Sequence, residues 1–240
     1  GGDSVVVIVG EKGAAQRRLH VRGDAGHGSI PLGRVSAVEM LAQVSRALSQ
    51  AQWPQASDEI WAGFVRAFEF ESELEESLIS GTYRGDYSEF GDLAAYAHAV
   101  SHMTVAQTVV RAGGPINVLP SSGELELDIR TLPGQSNDDV DRAITEVLGE
   151  LAEHVTIERL LSEPATASSI DTKLYRSIEE TLTQANPEAK VVPILFPGGS
   201  DLRVGRHKGG VGYGFGSCSS GATLGQVYSQ LHAHDEHIAV

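Results

Sequence analysis

Nine histidines stand in the 240 residues, and three groupings of them have residue types and spacings that chemistry can use. The run His232-Ala233-His234-Asp235-Glu236-His237 packs imidazoles and carboxylates together, the donor set that holds zinc, manganese or cobalt. Such tracts bind metal indiscriminately, so composition leaves open which imidazole binds, and a solvated polar chain end is the alternative. Ala25-Gly26-His27-Gly28-Ser29 places one imidazole between two glycines, where backbone can approach a ligand and the ring can point into a cleft. An incidental His on a surface turn is the plainer reading of the same residues. His98 and His102 are four apart, the spacing of one helical face, but with no acidic third ligand nearby they read as an ordinary surface pair. Pro197-Gly198-Gly199-Ser200-Asp201 follows an expected strand, where exposed backbone amides could hold a carboxylate.

These groups need elements to position them. Val5-Val6-Val7-Ile8-Val9 is a strand covered on both faces, and Gly10-Glu11-Lys12-Gly13 is expected to break it. Leu19 and Val21 alternate with Arg18, His20 and Arg22, the period of a strand with one wet face, and the Gly-rich turn around His27 follows. Val35, Val38, Leu41, Val44 and Leu48 then recur at helical spacing. Residues 52–103 are irregular and read as an insertion of short helices. Strands follow at 104–111 and around Leu125, Leu127 and Ile129, with the turn Gly113-Gly114-Pro115 between them. Ser136 with Asp139 three residues on predicts a capping box for a helix carrying Val140, Ile144, Val147 and Leu151, and Val155 and Ile157 predict a short strand.

The order strand, helix, insertion, strand, strand, helix, strand is the split βαβ pattern of a ferredoxin-like (βαββαβ) domain. After Glu163-Pro164 a helix through Leu174, Ile178 and Leu182 and strands at 191–195 and 211–215 are expected, material of the same kind as residues 5–9. The fold class is therefore α/β: parts of one α/β domain at 1–13 and 164–240, interrupted by a ferredoxin-like domain at 14–163 that carries the insertion at 52–103.

Composition narrows the function. A formal charge of -14 with only 18 basic residues argues against nucleic acid and against anionic membrane surfaces. No run of residues is apolar enough to span a bilayer. The single cysteine, Cys218, permits no internal disulfide and favours a cytoplasmic setting, and any zinc must be held by His and carboxylates. Gly-x-Gly-x-x-Gly and phosphate-loop patterns are absent, so nucleotide binding has no support.

Six segments taken in order carry a resemblance over nearly the whole chain: Gly10-Glu11-Lys12-Gly13, the stretch 23–29 around His27, Pro115-Ile116-Asn117-Val118-Leu119-Pro120, the stretch 127–134 with Arg130, the stretch 197–203 with Gly199 and Ser200, and the stretch 232–238. Together they resemble the zinc-dependent family of aminoacylase, acetylornithine deacetylase, succinyl-diaminopimelate desuccinylase and glutamate carboxypeptidase. The resemblance implies a zinc-peptidase-like catalytic domain interrupted by a lid and dimerisation domain. It also implies two zinc ions, with cobalt or manganese as substitutes, and a homodimer.

By the same resemblance His232 is a metal ligand, preferred over His234, and His27 reaches into the partner subunit's site to steady the tetrahedral oxyanion. Asn117 and Arg130 would bind substrate carboxylate or carbonyl, with Gly199 and Ser200 as further contacts. The implied substrate is an N-acyl amino acid or short peptide, cut at an amide beside a carboxylate. Gly1-Gly2 matches glycines just after another metal ligand, so the remaining ligands and the glutamate base are expected upstream, and residues 1–240 alone are expected to be inactive. A non-catalytic dimerisation or ligand-binding module that keeps the fold is the competing expectation.

Overall fold

The computed structural model describes residues 4–215 together with Gly225 and His234. In chain order its elements are β1 (Ser4–Glu11), β2 (Gly13–Ala14), β3 (Arg17–Arg22), β4 (Gly26–His27), α1 (Ala37–Ser49), α2 (Glu59–Arg66), α3 (Ser72–Ile79), α4 (Ala94–Ser101), β5 (Thr104–Ala112), β6 (Val118–Leu119), β7 (Ser122–Thr131), α5 (Asn137–Leu148), β8 (Val155–Arg159), β9 (Thr166–Ala167), α6 (Lys173–Ala185), β10 (Lys190–Phe196) and α7 (Leu202–His207). They form two compact units. One comprises Gly1–Lys12, Gln55–His102 and Thr166–Val240, the other Gly13–Pro54 and Met103–Ala165.

The second unit is the ferredoxin-like one. β7 is its central strand, antiparallel to β5 on one side and to β3 on the other, with β8 beyond β3, and β2 continues the β3 side along the end of β7. Alternation explains the burial: Leu125, Leu127 and Ile129 point to the helices, while Glu124, Glu126, Asp128 and Arg130 point the other way. Helices α1 and α5 cover the apolar face with Met40, Leu41, Val44, Leu48, Val140, Ile144 and Leu148. Both helices start on a serine cap, and Ser136 with Asp139 forms the expected capping box with both of its bonds. Helix α5 stops at Leu148, short of the expected Leu151, because Gly149 takes φ 53° and a 3-10 turn follows. The open face carries a charge ladder. Glu126 accepts from Arg111 at 2.7 Å and from Arg18 at 3.0 Å, and Glu158 pairs with His20 at 2.8 Å.

In the first unit β1 lies parallel to β10 and antiparallel to β9. Helix α6 packs Tyr175 and Ile178 on Val7 and Val9. Three expectations change here. Gly10 does not break β1, which runs on to Glu11; a Cβ at Gly10 would lie 2.8 Å from the Thr166 carbonyl, so the glycine lets β9 approach closely. Residues 211–215 make only an isolated bridge, Gly214 to Ile8, because Gly210, Gly212 and Gly214 leave the segment few side chains to pack.

The insertion at 52–103, expected within the ferredoxin-like part, instead sends Gln55–His102 to the first unit. Its short helices were expected, but their packing partner was not. Trp61, Phe64, Phe68, Tyr87, Phe90 and Tyr96 make one aromatic cluster, and the Tyr96 hydroxyl donates to the Leu195 carbonyl of β10 at 2.7 Å.

Candidate functional site

His27 sits on a two-stranded ribbon, β4 with β6, that leaves the ferredoxin-like sheet where β3 ends and β7 begins. The ribbon is tied at its base. Gly23 donates its N–H to Ser121 at 3.0 Å and Asp24 exchanges bonds with Val35; a Cβ at Gly23 would lie 2.2 Å from the Ala37 nitrogen, so only glycine fits. His27 pairs with Val118, Gly28 N–H donates to the Asn117 carbonyl at 2.7 Å, and Ile30 N–H closes a turn on the His27 carbonyl at 2.9 Å. His27 and Asn117 are thus neighbours, both exposed, with Ile30, Leu32 and Ile116 exposed around them. The His27 Nδ1 lies 2.7 Å from the Ser29 hydroxyl and 3.2 Å from the Ser29 backbone nitrogen.

Arg130 is elsewhere. It pairs with Ala14 and Thr104 towards the far end of β7, eight residues past Ser122, which is roughly 26 Å at about 3.3 Å per residue. Asn117 lies apart from it, in the β5 to β7 connection. Asp128, two residues back on the same strand face, holds the Arg130 guanidinium at 3.1 Å. Sequence reasoning gave Asp128 no role, although its period-two spacing from Arg130 was a visible signal.

In the first unit Gly199 and Ser200 follow β10. Ser200 donates both its N–H, at 2.6 Å, and its hydroxyl to Glu11, and Arg203 Nε donates to the same carboxylate at 2.8 Å. Glu11 is almost wholly buried, so this carboxylate organises the 197–203 turn from inside, and Ser200 has its donors spent on it. Its neighbour Lys12, equally buried, donates from Nζ to the carbonyls of Ala99 at 2.6 Å and His102 at 2.8 Å, where α4 ends. Glu11 and Lys12 were legible only as a motif. The signal that could have found them is two charges closing an otherwise apolar strand.

The pair His98 and His102 is not an ordinary surface pair. The rings meet edge to face at 4.2 Å, and His102 is buried with its Nδ1 2.9 Å from the Ser101 hydroxyl. Burial, with the charges of His98 and Lys12 adding to it, pushes the His102 imidazole down to about 3; burial and the Lys12 charge lower His98 as well.

His232 lies outside the described residues, and His234 is described only as an exposed turn residue. Among the described residues no group of three or more His, Cys, Asp or Glu could hold a metal ion, so they do not by themselves make a zinc site. No helix among them is long and apolar enough to cross a membrane.

Away from the ribbon, α1 and β5 frame a groove of about 370 Å³. Val38, Leu41 and Ala42 line one side, Val109, Val110 and Ala112 the other. Among the described strands β5 pairs only with β7, so no described strand runs along its other edge. Val38 and Val110 are 50% and 66% exposed at the rim, an apolar edge of the kind that pairs with another chain.

Comparison with known proteins agrees with the fold. Residues 9–156 match the family model described as the peptidase dimerisation domain. A probable carboxypeptidase S-like 2 from Dictyostelium discoideum is 27% identical over 204 residues, covering 82% of this chain and 38% of the relative. The N-fatty-acyl-amino acid synthase/hydrolase PM20D1 of Homo sapiens is 25% identical over 215 residues, covering 82% of the chain and 40% of the relative. The chain therefore spans about two fifths of the length of these relatives. Among solved structures, an M20 family metallo-carboxypeptidase from Sulfolobus solfataricus shares the fold with a TM-score of 0.57 at 18% identity, over 83% of this chain and 55% of that one. With more than half its length matched by the dimerisation-domain model, this chain belongs to the M20 peptidase family.

Proposed function

We propose that the whole protein hydrolyses an amide bond beside a carboxylate, in an N-acyl amino acid or a short peptide, and works as a homodimer. The observation that carries the proposal is the exposed His27 beside Asn117 on a ribbon tied down at its base, a rigid mount for a group that must reach a substrate. When water adds to an amide carbonyl, the oxygen gains negative charge, and a fixed imidazole N–H aimed there stabilises it by about 3–4 kcal/mol. Asn117 stands beside it to orient the same substrate. Arg130 supplies the planar fork that suits a carboxylate.

The distance along β7 supports the homodimer. One chain's Arg130 and its His27 sit towards opposite ends of the strand, so a small substrate touching both takes them from different protomers. The apolar α1 and β5 edge is the surface for that pairing. Gly199 would offer backbone to the substrate, and Ser200 would hold the turn through Glu11. Zinc, or cobalt or manganese in its place, would supply an activated water and polarise the carbonyl. The described residues do not form its site, and His232 is the ligand we assign within this chain.

The test is hydrolysis of N-acyl amino acids and dipeptides by the intact, metal-supplied protein. We expect turnover that falls roughly 100- to 1,000-fold in His27→Ala and none from residues 1–240 alone. Turnover unchanged by His27→Ala would sink the role given to His27. No turnover by the intact protein would favour a non-catalytic dimerisation or ligand-binding module.

A further inference from the structure

We infer that Ser29 is a positioning residue that fixes the tautomer of His27, holding Nδ1 as an acceptor so that the ring's one proton sits on the outward Nε2. The inference rests on the role proposed above for His27, which needs a donor and not a lone pair at the reacting carbonyl.

The direction follows from the backbone. A neutral imidazole has one N–H and one acceptor nitrogen, and which is which is set by what the other nitrogen meets. Ser29 N–H can only donate, and it points at His27 Nδ1 from 3.2 Å. A proton on Nδ1 would face that N–H head on. The Ser29 hydroxyl at 2.7 Å could play either part alone, but beside the N–H it donates to the same nitrogen. The turn makes this geometry repeatable: Ile30 N–H on the His27 carbonyl and Gly28 N–H on the Asn117 carbonyl hold residues 27–30 so that Ser29 comes back under the ring. Nothing else in the turn could do this, since Gly28 brings no side chain and its N–H is spent on Asn117. With Nδ1 held from below, Nε2–H is aimed away from the ribbon before any substrate arrives, and no reorganisation is needed at the moment charge develops.

The test uses residues 1–240 with ¹⁵N-labelled histidine at a pH where exposed imidazoles are neutral. Long-range nitrogen–proton spectra report the protonation of each ring nitrogen. The exposed His154 and His207 serve as references in the same sample. We expect His27 at the Nε2–H limit while the references average between tautomers. Ser29→Ala removes the closer donor, the hydroxyl, and keeps the backbone N–H, so it should move His27 part of the way towards that average without moving the references, and Ser29→Thr, which keeps the hydroxyl, should restore the limit. A wild-type His27 that averages like the references, or carries its proton on Nδ1, overturns the inference; so does a Ser29→Ala spectrum unchanged at His27. A merely structural role for Ser29 would shift backbone signals around the turn and leave the tautomer alone. Turnover by the intact protein decides the proposed function, its loss in His27→Ala decides the part of His27 in it, and neither touches the tautomer result.

Discussion

The Lys12 ammonium donates to the His102 carbonyl at 2.8 Å, joining the end of β1 to the end of α4 across 90 positions of sequence. It puts a positive charge next to two imidazoles in a buried setting, and pH dependence follows. His102 in the folded chain titrates at about 3, against about 6.5 for an unperturbed ring. Between those values the unfolded chain binds a proton that the folded chain refuses. Stability from this ring is therefore complete above about pH 6.5 and drains away as pH falls towards 3, by an amount on the order of 5 kcal/mol. Urea melts from pH 7 to pH 4 should show a steeper acid limb for the wild type than for His102→Gln, which keeps polarity without titrating. Parallel limbs would show that the ring is not held neutral.

Replacing the ammonium separates its two roles. In Lys12→Met the Ala99 and His102 carbonyls lose their donor, and a charge-assisted hydrogen bond of this kind is worth about 1.5–3 kcal/mol. Amide exchange over α4 should quicken with that loss. Both rings should also titrate higher, because Lys12 contributes to lowering each of them. Slowed exchange, or rings that do not move, would mean the ammonium does not cap the helix.

Glu11 makes the corresponding prediction for the 197–203 turn. Glu11→Gln leaves Arg203 facing a neutral amide and weakens the bonds from Ser200, and losing one member of a buried pair costs roughly 3 kcal/mol. Exchange of the Ser200 amide, whose acceptor is Glu11, should rise more than that of amides in β10. Equal protection in the variant would place the anchor elsewhere.

The ferredoxin-like unit was legible because its signals are local and periodic: Leu125, Leu127 and Ile129 alternate with charges, and Ser136 sees Asp139 three residues away. Residues 55–102 were legible as short helices but not as part of the first unit. Their packing rests on aromatic contacts and on Lys12, across separations that no spacing rule reaches. The site divided in the same way. His27 and Asn117 were nameable from motifs, and the ribbon makes them neighbours. The separation of Asn117 from Arg130 was not legible, because the chain between them completes the ribbon and then runs most of the length of β7. Motif matching also could not reveal that Ser200 spends its donors on Glu11, a residue 189 positions away.

Association is the remaining consequence, and it can be tested without touching the core. Val110 lies on the helix side of β5, beyond the cover of α1, and is 66% exposed, so a charge there costs the isolated fold little. If α1 and the β5 edge meet a second copy, the same charge is buried without a partner and the pairing fails. Sedimentation of the wild-type chain should show a dimer. Val110→Glu should be monomeric at the same concentration, with its melting midpoint corrected for the lost association unchanged within about 0.5 kcal/mol. A Val110→Glu chain that still dimerises would move the interface off the β5 edge, and with it the argument that Arg130 and His27 reach one substrate from two protomers.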